Sequence, residues 1–95
     1  MMDLDNKIRQ EIITFAKKNN IQKVMLFGSR ARGDSHDRSD IDLAVTGGEV
    51  RNFRLNIEEE VRTLLMFDVV NLDDVVQDAL REIIQKEGIT IYEKA

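Results

Sequence analysis

Ninety-five residues, 42% of them hydrophobic, are read as a single domain, 1–95, built on one core, because a chain this short buries only about 60 to 65% of its unfolded surface. Fourteen Lys and Arg against eighteen Asp and Glu give a formal net charge of −4 and an isoelectric point near 4.9, the wrong sign for a protein that grips long DNA or RNA over its whole surface. The absence of cysteine excludes disulfides, thiolate metal sites and a cysteine nucleophile. The acidic start Met1-Met2-Asp3-Leu4-Asp5 lacks the basic and apolar regions of a signal peptide, and no apolar run approaches about 18 residues, so a cytoplasmic protein without a membrane segment is expected.

Ile8, Ile12, Phe15 and Ala16 recur at helical spacing, which predicts an amphipathic helix from about Asp5 to Lys18, stopped near Asn19-Asn20. Lys23 to Phe27 carries Val, Met, Leu and Phe without that spacing and is followed by Gly28, the pattern of a buried strand. Ser29 to Gly33 can form a short helical turn, and residues 34 to 39 are a polar loop. Residues 41 to 46 give a second strand, ended by Gly47-Gly48. Phe53, Ile57, Val61, Leu64 and Leu65 predict a second long helix, and Met66 to Asn71 a third strand that reads as buried. Val76, Leu80, Ile83 and Ile84 mark a third long helix with Gly88 at its C-terminal end, and Ile89 to Tyr92 adds an edge strand. Strands interleaved with helices place the chain in the α/β class, as a sheet of three to four strands with helices packed against it. The methionines and the four phenylalanines read as core.

Three carboxylates break two of these apolar strands. Asp40 and Asp42 open Asp40-Ile41-Asp42-Leu43-Ala44-Val45, and Asp68 interrupts Met66-Phe67-Asp68-Val69-Val70. An isolated ionised carboxylate in such a place requires a cation, a hydrogen-bonding partner or a raised pKa. Alternation along a strand puts Asp40 and Asp42 on one side with Cα atoms roughly 7 Å apart. A divalent cation turns their repulsion into attraction, and Mg²⁺ is commonly held by one or two carboxylates plus phosphate oxygens. If the third strand lies beside the second, Asp68 completes a site for two ions about 3.5 to 4 Å apart. Gly28 lets the backbone approach a phosphate, and Ser29 offers a hydroxyl and an N–H where a helical turn begins. Arg30, Arg32 and Arg38 concentrate positive charge beside this region of an acidic chain and are candidates for neutralising a pyrophosphate leaving group.

Gly28-Ser29, ten intervening residues, Asp40-Ile41-Asp42 and the acid at Phe67-Asp68-Val69 resemble the signature of the DNA polymerase β-like nucleotidyltransferase superfamily. The run from Phe27 to Asp34 followed by Ser39 to Leu43 more specifically resembles the minimal nucleotidyltransferases, whose size matches this whole chain. The resemblance implies a mixed sheet flanked by helices, and Mg²⁺-dependent transfer of a nucleoside monophosphate from a nucleoside triphosphate, with ATP as the expected substrate. By the matched positions, Asp40 and Asp42 would hold the metals, Asp68 would complete the site and help activate the acceptor hydroxyl, and Gly28-Ser29 would bind the β- and γ-phosphates. Arg30 and Arg32 are added as nucleotide-binding candidates. The resemblance also implies a partner, a helical toxin of the HEPN class that such an antitoxin adenylylates. Homo-oligomers are compatible with the sequence.

Each signal has a plainer reading. Gly28 is an ordinary strand terminator and Ser29 an ordinary helix cap; Asp68 could pair with a buried arginine; Arg30 and Arg32 could pair with Asp34 and Asp37. His36, in a polar loop without a second histidine or cysteine, reads as solvent-exposed, and Glu58-Glu59-Glu60 as a hydrated helix face. The combination at fixed spacing carries the inference. Three alternatives stand beside it: a binding module that inhibits the same partner by occlusion, a small-molecule nucleotidyltransferase completed by a second subunit, and a phosphohydrolase, for which a nucleophile and a histidine cluster are missing.

Overall fold

The computed structural model describes residues 2–95. Helix α1, Asn6–Lys18, begins where the Asp5 carboxylate accepts the backbone N–H of Lys7 at 2.7 Å, and it ends with Lys17 and Lys18 in its last turn, both matching the helix dipole. Strand β1 covers Lys23–Phe27, the single-turn helix α2 covers Ser29–Arg32, and strand β2 covers Ile41–Thr46. Helix α3, Val50–Glu60, leads to strand β3, Phe67–Asn71; helix α4, Asp78–Glu87, leads to strand β4, Ile89–Glu93.

The four strands form one sheet in the order β3-β2-β1-β4. β1 runs antiparallel to both β2 and β4, while β2 and β3 are parallel, with α3 as the crossover that a parallel pair requires. The sheet is therefore mixed. Alternation sorts its side chains cleanly. Val24, Leu26, Ile41, Leu43 and Val45 are fully buried on one face with Ile12 and Ala16 of α1 and Phe53 and Ile57 of α3. Phe27 and Ala44 form the opposite face with Ile84 of α4, supported by Met25, Val70 and Leu80. No helix among the described residues is long and apolar enough to cross a membrane.

Three sequence expectations are corrected here. The second long helix stops at Glu60, not at residue 65: Val61 is buried in an extended conformation, whereas Leu64 projects fully into solvent. The chain has to leave the helix there to turn into β3, and the N–H of Leu65 is taken by the Thr63 hydroxyl at 3.1 Å. Second, β3 is an edge strand of half-exposed residues rather than a buried one, with Met66 just before it 69% exposed. Third, α4 starts at Asp78, leaving Val76 in the preceding loop, and Gly88 ends it in an extended conformation (φ −62°, ψ 134°) that leads straight into β4.

Candidate active site

The three carboxylates are brought together by strand register. Phe27 pairs with Asp42 across the β1–β2 ladder, and Asp42 pairs with Asp68 across the β2–β3 ladder. Neighbouring strands lie about 4.8 Å apart, so Phe27, Asp42 and Asp68 form a row across three adjacent strands, with Gly28 the next residue after Phe27. Cross-strand partners share a face, and Phe27 packs on the α4 face, so the carboxylates of Asp42 and Asp68 stand on that face too. Helix α4 covers Phe27 and Ala44 but leaves the end of the sheet that carries the acids open: Asp42 is half-buried, Asp40 and Asp68 exposed. Exposure relieves the burial cost that the sequence assigned to Asp68.

Gly28 is required by geometry. Its φ of 76° with ψ of −158° lies in a region open essentially to glycine alone. A Cβ placed there would overlap the Oδ2 of Asp42 and sit 3.2 Å from its Cγ. The main chain at Gly28 thus runs directly against a site carboxylate. Its carbonyl accepts the N–H groups of Ala31 and Arg32, each at 3.1 Å, and the Ser29 carbonyl accepts those of Gly33 and Asp34 at 2.9 and 3.1 Å. These bonds fix a tight turn whose leading N–H groups have no partner inside the turn.

The electrostatics of the row are unbalanced. Asp42 is raised from 3.8 to about 6, first by burial, then by the negative charges of Asp68 and Asp40, with Arg32 opposing. Arg32 itself is held by Asp34 at 3.0 Å and by Glu87 of α4 at 2.7 Å. None of the ion pairs among the described residues includes Asp40, Asp42 or Asp68. A donor set of carboxylate oxygens, mutually repelling and lacking a protein counter-charge, fits a hard divalent cation such as Mg²⁺. Among the described residues no group of three or more His, Cys, Asp or Glu side chains converges closely enough to hold a metal ion; the register pairs Asp42 with Asp68, and Mg²⁺ is commonly held by one or two carboxylates together with water and phosphate oxygens.

Arg30 is a second kind of correction. Expected at the nucleotide, it is 6% exposed, and its Nε, Nη1 and Nη2 donate to the backbone carbonyls of Ser39, Asp3 and Asp37. Four hydrogen bonds occupy four of the five donors a guanidinium has, so Arg30 is tied to the protein's own chain instead of facing a phosphate. Arg38 and His36 lie in the exposed loop, where the Arg38 N–H donates to His36 Nδ1 at 3.3 Å. Glu87 and Asp3 went unnoticed in the sequence: Glu87 lies 55 positions from Arg32, and no local pattern announces such a contact. A cavity of about 400 Å³ lies away from the carboxylates, between α3 and β3, lined by Val50, Arg51, Arg54, Leu55, Val69 and neighbouring residues.

Fold and site together define an enzyme that transfers nucleotidyl groups. Residues 10–95 match the family described as Polymerase beta, Nucleotidyltransferase, and the chain belongs to that family. The provisionally named protein adenylyltransferase MJ0435 of Methanocaldococcus jannaschii is 29% identical over 90 residues, spanning 90% of this chain and 96% of the relative. A solved structure carrying the provisional name minimal nucleotidyltransferase aligns with a TM-score of 0.65 at 26% identity, over 85% of this chain and 86% of that one. A toxin–antitoxin crystal structure with AMP-PNP aligns with a TM-score of 0.72 at 24% identity, over 90% and 73% of the two chains, and shares the fold. The chain is a nucleotidyltransferase of this family.

Proposed function

We propose that this enzyme transfers AMP from ATP to a hydroxyl on a protein partner, and that the partner is a helical toxin of the HEPN class which the transfer neutralises. The observation that carries the chemistry is the pairing of Asp42 with Asp68 across β2 and β3, with the Gly28 backbone against the Asp42 carboxylate and Asp40 two residues away. In this reading Asp40, Asp42 and Asp68 hold Mg²⁺, two ions at full occupancy, and Gly28-Ser29 receives the β- and γ-phosphates at the start of α2. Bound Mg²⁺ would neutralise the phosphates and lower the barrier to attack at phosphorus. The acceptor oxygen bonds to the α-phosphorus, the bond from that phosphorus to the bridging oxygen of pyrophosphate breaks, and the acceptor proton leaves toward Asp68. Arg32, braced by Asp34 and Glu87, adds positive charge beside the departing pyrophosphate.

Two observations support a protein acceptor. The relative MJ0435, matched over 96% of its own length, is itself named for protein adenylylation. Leu55 on α3 and Leu64, Met66 and Val75 before and after β3 are exposed at 47%, 103%, 69% and 97%, apolar side chains that a protein partner would cover. The aligned toxin–antitoxin structure supports the same pairing. The test is to incubate the purified chain with a helical toxin of the HEPN class, ATP and Mg²⁺, and weigh that toxin intact. A gain of one or more AMP groups on a tyrosine, serine or threonine is expected; an unmodified yet fully inhibited partner points to occlusion instead.

A further inference from the structure

Arg30 sits where three separate stretches of chain meet. Its backbone belongs to α2, directly after Ser29, and its carbonyl accepts the N–H of Asp3 at 2.7 Å. Its guanidinium reaches back along the chain to the same residue, donating to the Asp3 carbonyl at 3.2 Å with the Asp3 carboxylate 3.9 Å away. On its other side it grips the loop that leads into β2: Nε and Nη2 both donate to the Ser39 carbonyl, at 3.0 and 2.9 Å, and Nη2 also reaches the Asp37 carbonyl at 3.4 Å. The peptide held from two donors is the one that links Ser39 to Asp40. The Asp3 carboxylate also accepts the Ser35 hydroxyl, so the loop is held near its start by Asp3 and near its end by Arg30.

We propose that Arg30 is a positioning residue for Asp40, a planar brace that sets the distance between the Gly28-Ser29 turn and the first metal-binding carboxylate. The proposal rests on the nucleotidyl-transfer reading of the site. Asp40 precedes β2 and is exposed; the peptide after it is anchored by the Ile41 N–H, which donates to the Met66 carbonyl at 2.9 Å, but Asp40 itself has no partner in the ladder as Asp42 has. The remaining freedom of its backbone is set by the peptide before it, and that peptide is held by Arg30. The rigid fork matters: a lysine at this position offers a point charge with no fixed geometry and cannot grip one carbonyl from two nitrogens while holding two others. Residues that orient a metal ligand without touching the metal change affinity by about 10- to 100-fold when replaced.

The experiment compares wild type, Arg30→Lys and Asp3→Ala in two measurements. Amide hydrogen exchange without added metal reads the loop itself: the Ser39 N–H donates to the His36 carbonyl at 3.0 Å, and the His36 N–H donates to the Ser39 hydroxyl at 3.0 Å. Exchange at His36, Ser39 and Asp40 is expected to quicken at least about tenfold in Arg30→Lys, while amides of α1 and β2 keep wild-type rates. Titration of Mg²⁺ against thermal melting reads the site, where the half-saturating concentration is expected to rise by about tenfold or more and binding of ATP without metal to stay unchanged. Asp3→Ala keeps the Ser39 contacts, so both effects shrink but keep their sign. Unchanged loop exchange in both variants overturns the proposal whatever the enzyme's activity. A loss confined to ATP binding, with Mg²⁺ half-saturation unmoved, also overturns it and returns Arg30 to the nucleotide.

Discussion

Replacing Asp42 by Asn removes one charge from the crowded row while preserving its shape, and the effect on stability follows from the raised value of about 6 against 3.8. A carboxylic acid that holds its proton more tightly when folded contributes stability below pH 4 that is lost as pH rises to about 6, and the penalty is constant above that. At about 1.4 kcal/mol for each tenfold change, the full penalty for the ionised group would approach about 3 kcal/mol. Asp42 is only half-buried, so screening by solvent reduces the figure to about 1 to 2 kcal/mol. Asp42→Asn should therefore be the more stable protein at pH 7 without divalent cations, with a melting temperature about 4 to 16 °C higher for a domain of this size. The gain should fade toward pH 4, where wild-type Asp42 is protonated. Melting curves recorded in a chelating buffer from pH 4 to 8 measure this. An Asn variant that is equally or less stable at pH 7, or a wild type whose stability lacks the fall between pH 4 and 6 relative to the variant, refutes the account of burial and mutual repulsion at Asp42.

Gly28→Ala should lose about 1 to 3 kcal/mol from its backbone conformation alone, and overlap with the Asp42 carboxylate should lower Mg²⁺-coupled nucleotide binding further; wild-type melting and binding in this variant would remove Gly28 from the site. Arg32→Gln should raise the value for Asp42 above about 6, because Arg32 is the one cation holding it down, and an NMR titration of the Asp42 carboxyl reads the shift directly; a lower midpoint would contradict the geometry. Leu43→Ala, in the fully buried face of β2, should destabilise by about 2 to 5 kcal/mol in urea melts, far more than Leu64→Ala, which removes a side chain already in solvent.

The order of elements and the site follow from patterns that are local in the sequence. Asp5 announces the start of α1 because a cap acts on the next two or three residues. Gly28, Ser29, Asp40 and Asp42 lie within fifteen positions of one another, and alternation on a strand is a local rule. What escaped depended on distant parts of the chain. Val61 keeps the helical spacing but ends α3, since the apolar pattern records burial and not the backbone path that achieves it. β3 reads as buried from its composition, yet its place at the sheet edge is a matter of topology. Arg30 looked like a phosphate ligand because its partners are main-chain carbonyls, which every residue carries and no motif reveals. Its neighbour Arg32 owes half of its support to Glu87, delivered by the packing of α4.

The central claim is that Asp40, Asp42 and Asp68 with the Gly28-Ser29 turn form one site for a divalent cation and a nucleoside triphosphate together. Thermal melting with Mg²⁺ alone, with a nonhydrolysable ATP analogue alone, and with both tests it directly. Carboxylates that repel until a cation arrives, and a cation that completes its shell with phosphate, predict a stabilisation by the pair greater than the sum of the two single effects. The excess should vanish in Asp40→Asn and Asp42→Asn. Purely additive shifts in the wild type, or an excess that survives in both variants, would contradict it.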